Sequence, residues 1–113
     1  MSCKVINLEV GLPTVEQAKS RLERELKCAK TSGVEAVKII HGYGSTGKGG
    51  VIKPQIYKVL SQKKKNGEIK AVIKGEDFSP FDEESRKAMR SCPSLSKDTD
   101  MSKTNHGITI VVL

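Results

Sequence analysis

The sequence predicts an α/β domain, a two-layer sandwich in which two main helices pack on a mixed, partly parallel four-stranded sheet. Short segments of strand character alternate with segments whose apolar residues recur at helical spacing. Their order is β-α-β-α-β, then a helical excursion, then β. Strands that alternate with helices need crossover connections, which make part of a sheet parallel. The length of 113 residues fits a single domain that spans residues 1–113.

The first half of the chain predicts two strands separated by a helix. Residues 5–10 alternate between apolar and polar side chains, as a half-buried strand does. Thr14 is a predicted N-cap with Gln17 as its capping-box partner, and the helix continues to about Thr31. Residues 36–41 predict the second strand. The apolar stripe of the helix comprises Val15, Ala18, Leu22, Leu26 and Ala29.

The second half predicts one more main helix and two more strands. The helix covers residues 51–64, where Pro54 is tolerated because it falls in the first turn. Strands are predicted at residues 69–73 and 108–112. The excursion at about 76–106 lies between them. The buried stripe of the helix comprises Ile52, Ile56, Val59 and Leu60.

The charge distribution favours an anionic partner. The net charge is +7, with +9 on residues 1–74 and −2 on residues 75–113. Residues 36–67 contain seven lysines and no acidic residue. A basic body of this kind indicates nucleic acid, DNA or RNA, as the first candidate partner.

The composition also bears on location and redox state. No apolar run approaches the roughly 20 residues that a membrane helix needs, so we expect no membrane association. Cys3, Cys28 and Cys92 match no metal or redox spacing, and we interpret them as reduced thiols of a cytoplasmic protein.

A glycine-rich run from His41 to Gly50 connects the second strand to the second main helix. Glycines let bare backbone approach a ligand closely, and the start of a helix offers unpaired N–H groups to an anion such as phosphate. The candidate phosphate-binding residues are Gly42, Gly44, Gly47 and Gly49, with Lys48 and Lys53 as charge partners.

Two side chains of this run have alternative interpretations. His41 either donates to a phosphate oxygen and transfers protons, or fixes the loop by bonding a backbone carbonyl. Tyr43 either stacks on a base or covers the edge of the core.

The run is not a nucleotide-binding motif. Gly42 to Lys48 fits the start of a P-loop, but Gly49 stands where a Ser or Thr would hold Mg²⁺. The same run fits a dinucleotide fingerprint, but the acidic residue expected about 20 positions later is absent. We therefore expect no nucleotide cofactor.

Three segments resemble the Smr (small MutS-related) domain family. They are the strand and loop Val-Lys-Ile-Ile-His-Gly-Tyr-Gly at residues 37–44, the start of the first helix at residues 14–18, and the closing segment at residues 107–113. The resemblance implies an α/β sandwich similar to the C-terminal domain of a bacterial translation initiation factor. It also implies binding to DNA or RNA, linked to DNA repair, recombination or RNA processing, and nicking endonuclease activity in some members.

The chain departs from the family in its first strand, where the family has Leu-Asp-Leu-His or Leu-Asp-Leu-Arg. Here Asn7 stands at the position of the Asp and Glu9 at that of the His or Arg. This departure favours binding over cleavage. The alternative is an endonuclease with His41 and Glu9 as its catalytic pair, and only then is a divalent metal such as Mg²⁺ expected.

A third hypothesis is a protein-interaction module without enzymatic activity. The excursion at 76–106 lies outside the family pattern and resembles an insertion. Its two phenylalanines, Phe78 and Phe81, either anchor a partner protein or pack the excursion on the core of the domain.

Overall fold

The computed structural model describes residues 3–11, 13–42 and 49–113. The helices and strands of these ranges are β1 (Cys3–Asn7), α1 (Val15–Thr31), β2 (Ala36–Ile40), α2 (Gly49–Lys65), β3 (Ala71–Lys74), α3 (Glu83–Ser91) and β4 (Ile108–Val112). Short 3₁₀ turns follow β3 and α3. None of the helices in the described ranges is long and apolar enough to cross a membrane.

The four strands form one mixed sheet in the order β1-β2-β4-β3. β1 pairs in parallel with β2, whereas β4 lies antiparallel between β2 and β3. β1, β2 and β3 therefore run in the same direction, and their carboxyl ends meet the beginning of β4 at one edge of the sheet. This arrangement confirms the predicted α/β class and the mixed, partly parallel sheet.

The helix α1 begins and packs as its sequence predicts. The Thr14 hydroxyl accepts from the backbone N–H of Gln17, and the Gln17 side chain accepts from the N–H of Thr14. These two bonds satisfy donors that the first turn of a helix leaves unpaired. The buried face comprises Ala18, Leu22, Leu26 and Ala29.

The helix α2 begins earlier than predicted. Its first residue is Gly49, so Pro54 lies beyond the first turn, and the prediction for its position is wrong. A proline there cannot donate the hydrogen bond to the carbonyl four residues before it. The predicted apolar stripe is confirmed, because Ile52, Ile56 and Leu60 are buried against α1 and the sheet.

Residues of the excursion cover the other face of the sheet, which adds a layer to the predicted sandwich. Phe78, Ala88, Cys92 and Leu95 are buried there against β3 and β4. On the same face Lys38 of β2 forms ion pairs with Asp98 and Asp100. Burial by itself lowers the pKa of Lys38, but its hydrogen bonds to the two carboxylates raise that pKa above its ordinary value. The sheet is thus covered by helices on both faces.

A disulfide joins the start of β1 to the end of α3. Cys3 and Cys92 are paired, with their Cα atoms 6.5 Å apart. The interpretation of these two cysteines as reduced thiols is therefore wrong, whereas Cys28 is free and exposed. The two partners are 89 residues apart in sequence. Spacing rules for local metal and redox motifs do not detect such a pair.

Candidate functional site

The candidate site lies where the carboxyl ends of β1, β2 and β3 meet the start of β4. Glu9 follows β1, His41 and Gly42 follow β2, and Glu76 follows β3. Lys53 extends from α2 to the same edge, with its ammonium 3.5 Å from Glu76 Oε2. Carboxyl ends of parallel strands are the usual position of ligands in open α/β sheets.

His41 is buried and uses both ring nitrogens inside the protein. Its side chain is 2% exposed. Nδ1 lies 2.7 Å from the Gly42 carbonyl oxygen, and Nε2 lies 2.9 Å from Thr109 Oγ1. A carbonyl only accepts, so Nδ1 carries a proton, and in the neutral imidazole Nε2 then accepts from the threonine hydroxyl. This geometry matches the interpretation in which the imidazole fixes the loop.

The environment of His41 favours its neutral form. Burial is the largest influence and lowers the pKa of the imidazole, although its hydrogen bond to the Gly42 carbonyl opposes the change. The net pKa is below the ordinary value for histidine. In this neutral ring Nε2 accepts from the Thr109 hydroxyl while Nδ1 donates to the Gly42 carbonyl.

Gly42 makes the turn by which the chain leaves β2. Its φ is +73°, a value that residues with a Cβ rarely adopt. A Cβ placed on Gly42 would lie 2.7 Å from Glu9 Oε2. The backbone N–H groups of His41 and Gly42 both donate to the Gly107 carbonyl at 3.0 Å. The turn is therefore held by the residue just before β4 and lies directly against the Glu9 carboxylate.

The loop after β1 is held from within the chain. Asn7 accepts through Oδ1 from the N–H of Glu9 at 2.8 Å. Arg21 of α1 donates to the Val10 carbonyl at 2.9 Å. The structure thus brings Glu9 to the Gly42 turn, but the described hydrogen bonds of the His41 ring go to Gly42 and Thr109.

Glu76 and His106 join this edge, although the sequence does not single out Glu76 and predicts only a surface position for His106, which is exposed. Oε2 of Glu76 lies 3.5 Å from Lys53 Nζ and 3.5 Å from His106 Nδ1. Burial alone would raise the pKa of Glu76, but a hydrogen bond from its own backbone and the charge of Lys53 lower it. Their positions in the sequence, just after β3 and just before β4, were the signal that could have identified them as residues of this edge.

Apart from Lys53, the lysines of α2 fall into two groups. Lys58, Lys64 and Lys65 are exposed. Lys63 instead pairs with Glu23 of α1 and with Glu68. Burial alone would lower the pKa of Lys63, but these carboxylates raise it above its ordinary value. Lys63 therefore connects α1 to α2, whereas the three exposed lysines face solvent.

Several predicted site residues lie outside the described part of the chain. They are Tyr43, Gly44, Gly47 and Lys48. Gly49 is the first residue of α2, where N–H groups have no acceptor within the helix. Within the described ranges, no three His, Cys, Asp or Glu side chains are grouped as metal ligands.

The two phenylalanines of the excursion have different surroundings. Phe78 is 1% exposed and belongs to the core of the second face, whereas Phe81 is 89% exposed. One ring therefore packs the excursion on the sheet, and one ring is accessible to solvent. This division weakens the prediction of a paired aromatic anchor for a partner protein.

The comparisons with known proteins agree with the arrangement of elements. The family model described as "Smr domain" matches residues 10–77, which is more than half of the chain. The crystal structure of the Smr domain of Thermus thermophilus MutS2 is similar, with a TM-score of 0.56 and 18% identity. The match covers 100% of this chain and 98% of that one. Comparison with curated proteins gives no match.

Proposed function

Because the chain belongs to the Smr domain family, we propose that it binds the phosphate backbone of DNA or RNA at the carboxyl edge of its sheet. The glycine-rich loop after Gly42 and the first turn of α2 contact phosphate through backbone N–H groups. Lys48 and Lys53 supply positive charge. His41 fixes the turn from which the loop departs.

One observation carries this proposal: the contact between Lys53 and Glu76 at 3.5 Å. It places the beginning of α2 at the edge where β2 and β3 end. The N–H groups in the first turn of α2 and the Lys53 ammonium then lie at the same edge and both favour an anion, and a phosphate there would compete with Glu76 for Lys53. No acidic residue lies between positions 36 and 67, and the carboxylates that pair with Lys53 and Lys63 come from outside this segment.

Salt dependence tests the proposal. Anisotropy titrations of labelled single- and double-stranded DNA and RNA would be repeated between about 50 and 200 mM salt. A duplex that contacts about four phosphates gives a log–log slope near −3.6. A flat profile, or no binding, would overturn the proposal.

A matched pair of lysine variants locates the contact. Lys53→Ala removes a charge at the carboxyl edge, and we expect the magnitude of the slope to decrease by about 1. Lys70→Ala removes an exposed charge just before β3, at the opposite edge of the sheet. If the two variants lose affinity equally, the contact is a diffuse attraction to basic surface.

Cleavage is the second candidate, because Glu9 lies against the turn that carries His41. Hydrolysis needs an activated water and relief of charge on the phosphate, which a Mg²⁺ or Mn²⁺ ion would supply. In this alternative Glu9 orients the water, and His41 exchanges its hydrogen bond with Thr109 for one to the substrate.

The test of cleavage uses supercoiled plasmid and structured RNA with Mg²⁺ or Mn²⁺. Glu9→Gln is the cleaner variant, since Glu9 is exposed and His41 is buried. Nicking that Glu9→Gln abolishes would support the alternative. Nicking that persists in both Glu9→Gln and His41→Ala would indicate a contaminant, and we expect binding without cleavage.

A further inference from the structure

A cavity of about 360 Å³ opens between α2, β3 and β4, beside the candidate site. Its lining residues are Lys53, Pro54, Tyr57, Lys74 and Thr109. Its volume lies within the roughly 300–1,000 Å³ of sites that hold small organic ligands. The lining combines an aromatic ring and a proline with two ammonium groups, so it suits a ligand that is both flat and anionic.

The aromatic ring of the cavity already holds a cation. Lys74 Nζ lies 4.5 Å from the centre of the Tyr57 ring, the distance of a cation–π contact. A ring face that accepts an ammonium also accepts the flat face of a base. A base that takes this position releases the ammonium of Lys74 toward a neighbouring phosphate.

The cavity is continuous with the carboxyl edge through two shared residues. Lys53 lines the cavity and also contacts Glu76 at 3.5 Å. Thr109 lines the cavity and donates to Nε2 of His41 at 2.9 Å. A phosphate at the start of α2 and a base in the cavity would therefore belong to adjacent parts of one nucleic acid strand.

We propose that this cavity binds one unpaired nucleobase, stacked on Tyr57, with the adjoining phosphate between Lys53 and Lys74. The inference rests on the proposed nucleic-acid binding and names the form recognised: single strands or unpaired ends. The bases of a duplex are paired and stacked on their neighbours, so they cannot enter a cavity that holds a single nucleobase. Stacking on an aromatic ring is tolerant of sequence, because every base has a π face.

The first test compares Tyr57→Leu with Tyr57→Phe, and circular dichroism melts check that both variants fold. Tyr57→Leu removes the ring, and we expect single-strand affinity to decrease by about 5- to 150-fold at fixed salt. Tyr57→Phe keeps the π face and retains the affinity. Duplex affinity changes less than twofold in both variants, because it depends on phosphate contacts alone.

The second test uses tyrosine fluorescence as a direct report of stacking. The sequence has two tyrosines and no tryptophan, so in the Tyr43→Phe variant all tyrosine fluorescence comes from Tyr57. Oligothymidylate should quench this emission, whereas an abasic strand of the same length should bind without quenching. A thymidine mononucleotide that quenches equally well would overturn the assignment to single strands, because a free nucleotide would then be a sufficient ligand.

The outcomes separate the two proposals. If wild-type protein binds nucleic acid with a steep salt profile and Tyr57→Leu binds single strands as well as wild type does, the base site is wrong and the phosphate interface stands. Binding without quenching in the Tyr43→Phe variant leads to the same conclusion. If the protein binds no nucleic acid at all, both proposals fail together.

Discussion

Nδ1 of His41 lies 2.7 Å from the carbonyl oxygen of Gly42, the residue that follows it in the chain. The same ring accepts from Thr109 of β4 on its other side. These two bonds join the end of β2 to the start of β4 through a side chain that is buried. His41 therefore positions the turn that opens the glycine-rich loop.

Stability should depend on pH through His41. Burial lowers its pKa below the ordinary value, so the folded protein holds this proton less tightly than the unfolded chain does. The stabilisation is fully present above the unfolded pKa of about 6.5 and is lost as pH falls through the folded value. A difference of one bound proton gives at most about 1.4 kcal/mol per pH unit.

Urea titrations between about pH 7.5 and 5.5 measure this dependence. In His41→Gln we expect a lower free energy of unfolding at pH 7.5 and a flatter profile below about pH 6.5. His106→Gln measures separately the contribution of the other histidine, which is exposed and lies 3.5 Å from Glu76. A His41→Gln protein with the wild-type slope would contradict the assignment.

Gly42→Ala should destabilise the fold, and the cost of a positive φ should exceed the cost of the contact between the new methyl group and Glu9. A residue with a Cβ pays about 1–2 kcal/mol to adopt a φ near +73°. The Glu9 oxygen that the new methyl group meets is the end of a flexible, exposed side chain. We therefore expect Glu9→Ala to recover little stability when it is added to Gly42→Ala.

Gly67→Ala is the matched control for this prediction. Gly67 has a φ of +78°, and a Cβ there would meet no atom within 4 Å. Equal changes in the free energy of unfolding for Gly42→Ala and Gly67→Ala indicate that φ dominates. A much larger change at Gly42 that Glu9→Ala relieves would show that the contact dominates.

The disulfide between Cys3 and Cys92 should stabilise the domain under oxidising conditions. It closes a loop of 89 residues. Closing a loop of this length restricts the unfolded chain, and the usual gain is about 2–4 kcal/mol. We expect Cys3→Ser, or reduction of the wild type, to lower the thermal midpoint in calorimetry.

Cys28→Ser serves as the control, since Cys28 is exposed and unbonded. It should melt like the wild type under both conditions. Reductant should leave the midpoint of Cys3→Ser unchanged. A wild-type midpoint that does not respond to reductant would show that the bond contributes nothing measurable to stability.

The sequence predicted local features of the fold well, because short-range interactions determine them. Thr14 and Gln17 are three residues apart, and their reciprocal bonds follow from that spacing. The bond between Cys3 and Cys92 depends on how α3 returns to the sheet, which no local pattern encodes. The core position of Phe78 follows from the same return.

The candidate site was predictable only in part, because some of its features follow from neighbouring residues and others depend on contacts between distant parts of the chain. Gly42 lies two residues after the end of β2, and its positive φ agrees with the choice of glycine there. Glu76 and His106 meet because β4 inserts between β2 and β3, which only the completed sheet reveals. The burial of His41 likewise depends on Thr109, which is 68 residues away.

The glycine-rich loop provides the prediction that best separates a backbone site from simple charge attraction. If N–H groups hold the phosphate, Gly47→Val should weaken binding more than Lys48→Ala does. A branched side chain blocks close approach and disfavours any positive φ, whereas loss of one lysine removes one charge. Segments that connect a strand to a helix tolerate substitution better than core positions do, so both variants should melt within a few degrees of the wild type.

Anisotropy titrations at fixed salt, with a single-stranded and a duplex probe, measure the two affinities side by side. Lys70→Ala, at the other edge of the sheet, gives the baseline for loss of one distant positive charge. If Gly47→Val binds like the wild type while Lys48→Ala binds much more weakly, the loop does not hold phosphate through its backbone. The affinity would then come from the lysines, and any cationic loop at this edge would bind equally well.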